Sequence, residues 1–320
     1  MERITYLDSI RGFAILLVIV GHMIQFNFVD GVESPIFNII YSFHMPLFFF
    51  LSGCTTFLSE KGRGGIDSIL KVGHLVKKKF LALIVPSMCW TMLIPLFFSA
   101  DYSFDKGISY FWFLNTLFAI SLFWIFRSFL YNYCHRSKFV DIFFVSLLIG
   151  LFLFGIKRVS LMYLFMFLCG YYFQQSNALD KLKDWAYLFV LLGYCLGVGF
   201  FSYTKGGVET EDRVWLEFPL SICASICLMK IFSIFRENHI AKFLSFIGKY
   251  TLGIYLCHFV FIHQLSLEVL HSSFNKVCQF VILILLASII AVLCVILQRV
   301  TEAFPLLNNI MYGTFGRKKK

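Results

Sequence analysis

Runs of about twenty apolar residues recur along this chain, separated by short polar connections. An α-helix rising ~1.5 Å per residue needs roughly 20 such residues to cross the hydrocarbon core of a bilayer. In lipid every backbone N–H and C=O must be paired within the protein, and a helix does so within the segment. The rule predicts spans at Ile10–Val29, Pro35–Leu58, Phe80–Ser99, Ile108–Tyr131 and Phe139–Gly155. Five more follow at Ser160–Phe173, Asp184–Tyr203, Val214–Phe235, Tyr250–Leu270 and Val277–Gln298. Hydrophobic residues make up 59% of the chain and charged ones 14%, against about a quarter charged in an ordinary globular domain. A water-facing surface cannot be built from that balance. The expected fold is all-α and integral to the membrane, with about ten transmembrane helices in one domain over residues 1–320.

The basic residues test this layout independently. With a cytoplasmic N-terminus, 22 of the 28 Lys and Arg residues fall on the inside and six on the outside. Both termini are then cytoplasmic, which requires an even number of spans. The net charge of +10 is accounted for by topology and anionic lipid, and nucleic acid is not an expected partner. The first apolar run is too long for a cleavable signal peptide and carries Arg11 and His22. The ten cysteines lie mostly within predicted spans and read as structural.

Ionisable groups inside a bilayer are costly, so each is a candidate for function. The first span holds Asp8, Arg11 and His22. Eleven residues separate Arg11 from His22, which at ~100° per residue is three turns plus about 20°. The two share one helical face, ~16 Å apart along the axis, with Arg11 at the cytoplasmic interface and His22 near the midplane. Asp8, three residues before Arg11, is within reach to orient its guanidinium. The plainer readings are that Arg11 snorkels to lipid phosphate and that His22 packs between helices. His44 lies two residues before Pro46, which predicts a kink there. Its plainer role is to bond backbone freed by that proline. His258 sits inside the ninth span. His22, His44 and His258 come from three helices, but no paired carboxylate accompanies them and no metal is expected. The longest inside connection, Ser59–Lys79, ends in the cations Lys77, Lys78 and Lys79.

Several segments resemble one family. Leu7-Asp8-Ser9-Ile10-Arg11-Gly12-Phe13-Ala14-Ile15, followed by Val20-Gly21-His22, resembles the first helix of the membrane acyltransferase-3 family, whose hallmark is Arg, ten residues, then His. Phe43 through Pro46 to Leu51-Ser52-Gly53 resembles its second-helix motif, and Tyr110 to Asn115 resembles the start of its fourth helix. Ile247-Gly248-Lys249-Tyr250 through Tyr255-Leu256-Cys257-His258 resembles its late motif. The family also carries two basic residues three apart before the proline that opens the third helix. Counting back from Pro86, this chain has Lys79 and then Ala82.

The resemblance implies an O-acyltransferase of the stand-alone kind in the cytoplasmic membrane. It would move an acetyl group from cytoplasmic acetyl-CoA to a hydroxyl of a polysaccharide or lipid-linked sugar. A basic rim of Arg11, Lys78 and Lys79 would hold the donor's phosphates. His22, as a neutral imidazole, would take the proton of the sugar hydroxyl. Asn115, His44 and Tyr255 are equal candidates for the developing oxyanion, and His258 joins them as a substrate contact. Apart from the resemblance, outer aromatics, among them Tyr102, Phe104, Tyr110 and Trp112, are placed to stack on sugar rings, the plainer reading being the ordinary belt of Trp and Tyr at a membrane interface. Two readings compete: a carrier of lipid-linked saccharide with His22 coupling protons, and a scaffold without chemistry. Neither broken-helix pairs nor deeply embedded carboxylates are visible in the sequence to support the carrier.

Overall fold

The computed structural model describes residues 5–29, 31–63, 65–97, 110–134, 138–153, 158–203, 214–267, 270 and 274–315. Tyr102, Phe104, the outer connection Thr204–Arg213 and the terminal cations Arg317–Lys320 lie outside them. Every regular element among the described residues is helical. Among the described residues five helical runs are long and apolar enough to cross a membrane: Thr5–Asn27, Pro35–Gly62, Trp112–Tyr133, Leu216–Ile234 and Lys276–Thr301. A bent pair, His239–Lys249 and Thr251–Ile262, makes a sixth if it counts as one span.

The chain divides into two compact units. The first comprises Met1–Ser59 with Met162–Val295, the second Glu60–Leu161 with Ile296–Lys320.

The first unit is built around α1 (Thr5–Asn27). α2 (Pro35–Tyr41) and α3 (His44–Arg63) divide the predicted second span, with a turn at Ser42-Phe43 between them. Pro46 explains the division. It has no N–H to give the carbonyl of Ser42, one turn earlier. That carbonyl accepts instead from the hydroxyl of Ser221, a residue far away in sequence, at 2.8 Å.

The tightest packing in this unit is that of α1 on the helix His239–Lys249. Residues Ala241, Leu244, Ser245 and Gly248 follow the 3–4 spacing of a buried helical face. A Cβ on Gly12 would lie 1.9 Å from the carbonyl oxygen of Leu244, and one on Gly248 would lie 1.8 Å from that of Asp8. Only two glycines allow this approach, the small-residue crossing expected where lipid supplies no hydrophobic drive between helices. The Ser9 hydroxyl adds a bond to the carbonyl of Ala241 at 2.7 Å. The expected polar connection before the ninth span is therefore a packed amphipathic helix, turned by 84° from the next one.

In the second unit, α4 (Ile69–Lys79) replaces much of the flexible connection expected there. It continues into one π-helical turn, Phe80–Ile84, and then α5 (Val85–Leu93). Pro86 cannot donate to Ala82, and the wide turn re-routes the ladder so that the Val85 N–H reaches the Phe80 carbonyl. The backbone of Ala82 packs against Gly313, whose φ of 63° needs a residue without a Cβ. α6 (Trp112–Tyr133) places the Trp124 indole N–H 2.8 Å from Glu60 and the Asn132 amide against the Ile66 carbonyl. The Trp90 indole donates to the carbonyl of Met311 at 2.9 Å.

Candidate active site

Two polar clusters sit on α1, one near each end. At the N-terminal end Asp8 is almost fully buried, and its carboxylate accepts from Arg11 Nη1 at 3.3 Å. Arg11 Nη2 donates to the Thr55 hydroxyl on α3 at 3.0 Å. That hydroxyl in turn donates to backbone carbonyls of its own helix, Leu51 and Ser52. The guanidinium is thus braced from two helices, while its side chain keeps 27% exposure. A cation whose position is fixed and whose side chain stays partly exposed is suited to bind an anion. Lipid snorkelling alone would not call for the brace.

At the other end stands His22. Its Nδ1 is 3.2 Å from Gln25 Oε1, one turn on, and the Tyr41 hydroxyl donates to the same oxygen at 3.0 Å. The amide oxygen accepts from both, which assigns the proton of His22 to Nδ1 and leaves the Nε2 lone pair free to accept. The Tyr41 ring reaches this point because it lies over Gly21. His258 faces His22, with ring centroids 5.4 Å apart, and Phe259 packs against both at 4.7 and 4.3 Å. His258 is fully buried, and its Nδ1 donates to the Ile254 carbonyl at 3.0 Å. Its Nε2 has no hydrogen-bond partner among the described residues. A buried polar atom left so is costly and marks a place where a ligand group can bond. His44, also buried, bonds the Ile40 carbonyl at 2.9 Å rather than the Ser42 carbonyl that Pro46 leaves free, and its ring lies 4.5 Å from that of Tyr41. Tyr255 is buried beside His258 at 5.9 Å.

The first unit therefore brings together His22, His44, Tyr255 and His258, with Arg11 further along the same helix. α1 starts five residues before the expected span, so its midpoint falls near residue 16. His22 lies ~9 Å past that midpoint toward the C-terminal end. Asn115, Lys78 and Lys79 belong to the second unit. Asn115 is half-buried in the first turn of α6, Lys78 is exposed and Lys79 half-buried at the end of α4. Three partners went unread in the sequence: Gln25, Tyr41 and Thr55. Gln25 alone left a signal, being three residues after His22 on the same face.

The described residues thus hold membrane-length helices, a braced guanidinium and a cluster of buried imidazoles in which His258 Nε2 has no hydrogen-bond partner. Comparison with known proteins identifies the class: residues 4–297 match the family described as acyltransferase domain, and the chain belongs to that family. It is a membrane acyltransferase. The chain is similar to nodulation protein NolL of Mesorhizobium japonicum, with 23% identity over 96% of this chain and 89% of that protein. It is also similar to nodulation protein NolL of Sinorhizobium fredii, with 30% identity over 32% of this chain and 27% of that protein. No solved structure matches it.

Proposed function

We propose that this acyltransferase moves an acetyl group from cytoplasmic acetyl-CoA to a hydroxyl of a sugar in a polysaccharide or lipid-linked glycan. The observation that carries the reading is the division of α1 into a braced, partly exposed Arg11 and a His22 held through Nδ1 beside the unpartnered Nε2 of His258. Arg11 holds donor phosphate, with Lys78 and Lys79 as further phosphate ligands. The acceptor's O–H gives its proton to His22 Nε2 as its oxygen bonds the thioester carbonyl carbon. The C–S bond then breaks, and the coenzyme A thiolate leaves with the proton from His22. The orphan Nε2 of His258 accepts a hydrogen bond from the sugar. His44, Tyr255 and Asn115 stay equal candidates for the oxyanion. The chain lies in the cytoplasmic membrane with ten spans and both termini inside, which reporter fusions at each connection test.

Proteoliposomes holding the full chain, labelled acetyl-CoA and a glycan extract of the host test the reaction. Label should pass to glycan with wild type and not with His22→Ala. Transfer by a folded His22→Ala protein overturns the mechanism. One observation favours a carrier of lipid-linked saccharide, the 84° break between His239–Lys249 and Thr251–Ile262, because carriers build sites at broken helices. Here the break delivers His258 to His22. A carrier would bind glycan and transfer no acetyl group.

A further inference from the structure

A polar cavity of about 480 Å³ opens in the first unit, within the size range of small-molecule sites. Tyr6, Phe173, Asn177, Asp180, Lys230 and Arg236 line it. Each stands at or just beyond the end of a long helix. Tyr6 is in the first turn of α1, Phe173 in the last turn of the helix Arg158–Gln175, and Lys230 and Arg236 flank the end of Val214–Ile234. The cavity is therefore at the Arg11 end of α1. α3 ties the two places together: Cys54 donates to the Gly170 carbonyl at 3.2 Å, on the helix whose last turn holds Phe173, and its neighbour Thr55 bonds the guanidinium.

The charges around the cavity narrow what it can hold. Lys230 Nζ is 2.8 Å from Asp184, and Arg236 Nε is 3.8 Å from Glu237. With Asp180 on the wall, two cations stand among three carboxylates, a poor match for a bare anion. The mixture suits a ligand that carries hydrogen-bond donors, a flat ring and a phosphate together. We propose that the cavity receives the adenosine 3′-phosphate end of the acyl donor, a reading that rests on acetyl-CoA being that donor. The purine lies against Tyr6 and Phe173, its exocyclic amine donates to Asp180, and the 3′-phosphate sits between Lys230 and Arg236. The remaining diphosphate then faces Arg11, which shares α1 with Tyr6 and His22.

The test compares acetyl-CoA with 3′-dephospho-acetyl-CoA as donors for the full chain in proteoliposomes. Wild type should show a KM about tenfold higher for the dephospho donor, the worth of one charge-assisted hydrogen bond. Arg236→Gln and Lys230→Gln should raise the KM for acetyl-CoA by about the same factor with kcat retained, and leave the dephospho donor's KM where it was. Asp184→Asn, which frees Lys230 of its ion pair, should not raise either KM. Adenosine 3′,5′-bisphosphate should compete with acetyl-CoA in wild type and about tenfold less well in Arg236→Gln. Equal KM values for the two donors in wild type, or variants that shift both donors alike, overturn the proposal. A wild-type protein that transfers nothing from acetyl-CoA instead sinks the donor assignment itself.

Discussion

Arg11 and His22 share a helix and a face, yet the protein satisfies them in opposite ways. Arg11 is a permanent charge, held by a buried carboxylate and a hydroxyl, with part of its surface left to water. His22 is surrounded by an amide oxygen, aromatic rings and a second imidazole, with no carboxylate among its described partners. Gln25 orients the His22 ring without placing a charge beside it. An uncharged brace at Arg11 alone would leave its position soft. The difference matches the two proposed roles, an anchor for the donor's anion at one end and a base for the acceptor's proton at the other.

The comparison breaks most easily at His22. His22→Ala should lower kcat by about 10²–10⁴-fold, the usual share of a general base, with the donor's KM little changed. Gly248→Leu attacks the frame that serves both ends. Its side chain would meet the Asp8 carbonyl and part α1 from the helix His239–Lys249, costing at least the ~1–3 kcal/mol of an overpacked core, read as a fall in Tm of detergent-solubilised protein. Arg11→Ala should raise the KM for acetyl-CoA ~10–100-fold, the loss of a charge-assisted bond, in steady-state kinetics. If only kcat falls, the donor-anchoring role is wrong. Tyr41→Phe removes one of two donors to Gln25 and should cost only several-fold in kcat, whereas Gln25→Leu should cost more because it frees the His22 tautomer. Ser9→Ala, losing one interhelical bond far from the reacting groups, should cost ~0.6 kcal/mol of stability and no activity.

Much of this was legible in the chain because membrane helices obey two strong local rules. Length and hydropathy located the helix containing Arg11 and His22, and the angular period placed both on one face. The Asp8–Arg11 pair followed from its three-residue spacing. The Pro46 division was legible as a local break, although its result, a turn at Ser42-Phe43, shows only in the fold. The helix His239–Lys249 was hidden by its own polarity: Lys242 and Lys249 face outward and read as a cytoplasmic connection, while the face toward α1 is defined by the glycine crossing. α4 was missed for a similar reason, since glycines upstream and three lysines at its end suggest a flexible segment.

The sequence by itself determined a helical membrane protein with an arginine and a histidine aligned on the first helix. Those follow from hydropathy and the 3.6-residue period, which act within one segment. Tertiary structure alone decided that Thr55 braces Arg11, that Gln25 and Tyr41 set the His22 tautomer, and that His258 comes to face it across a broken helix. These depend on which faces meet, and here that choice is made by backbones close enough to touch at Gly12 and Gly248, a contact that no single segment encodes.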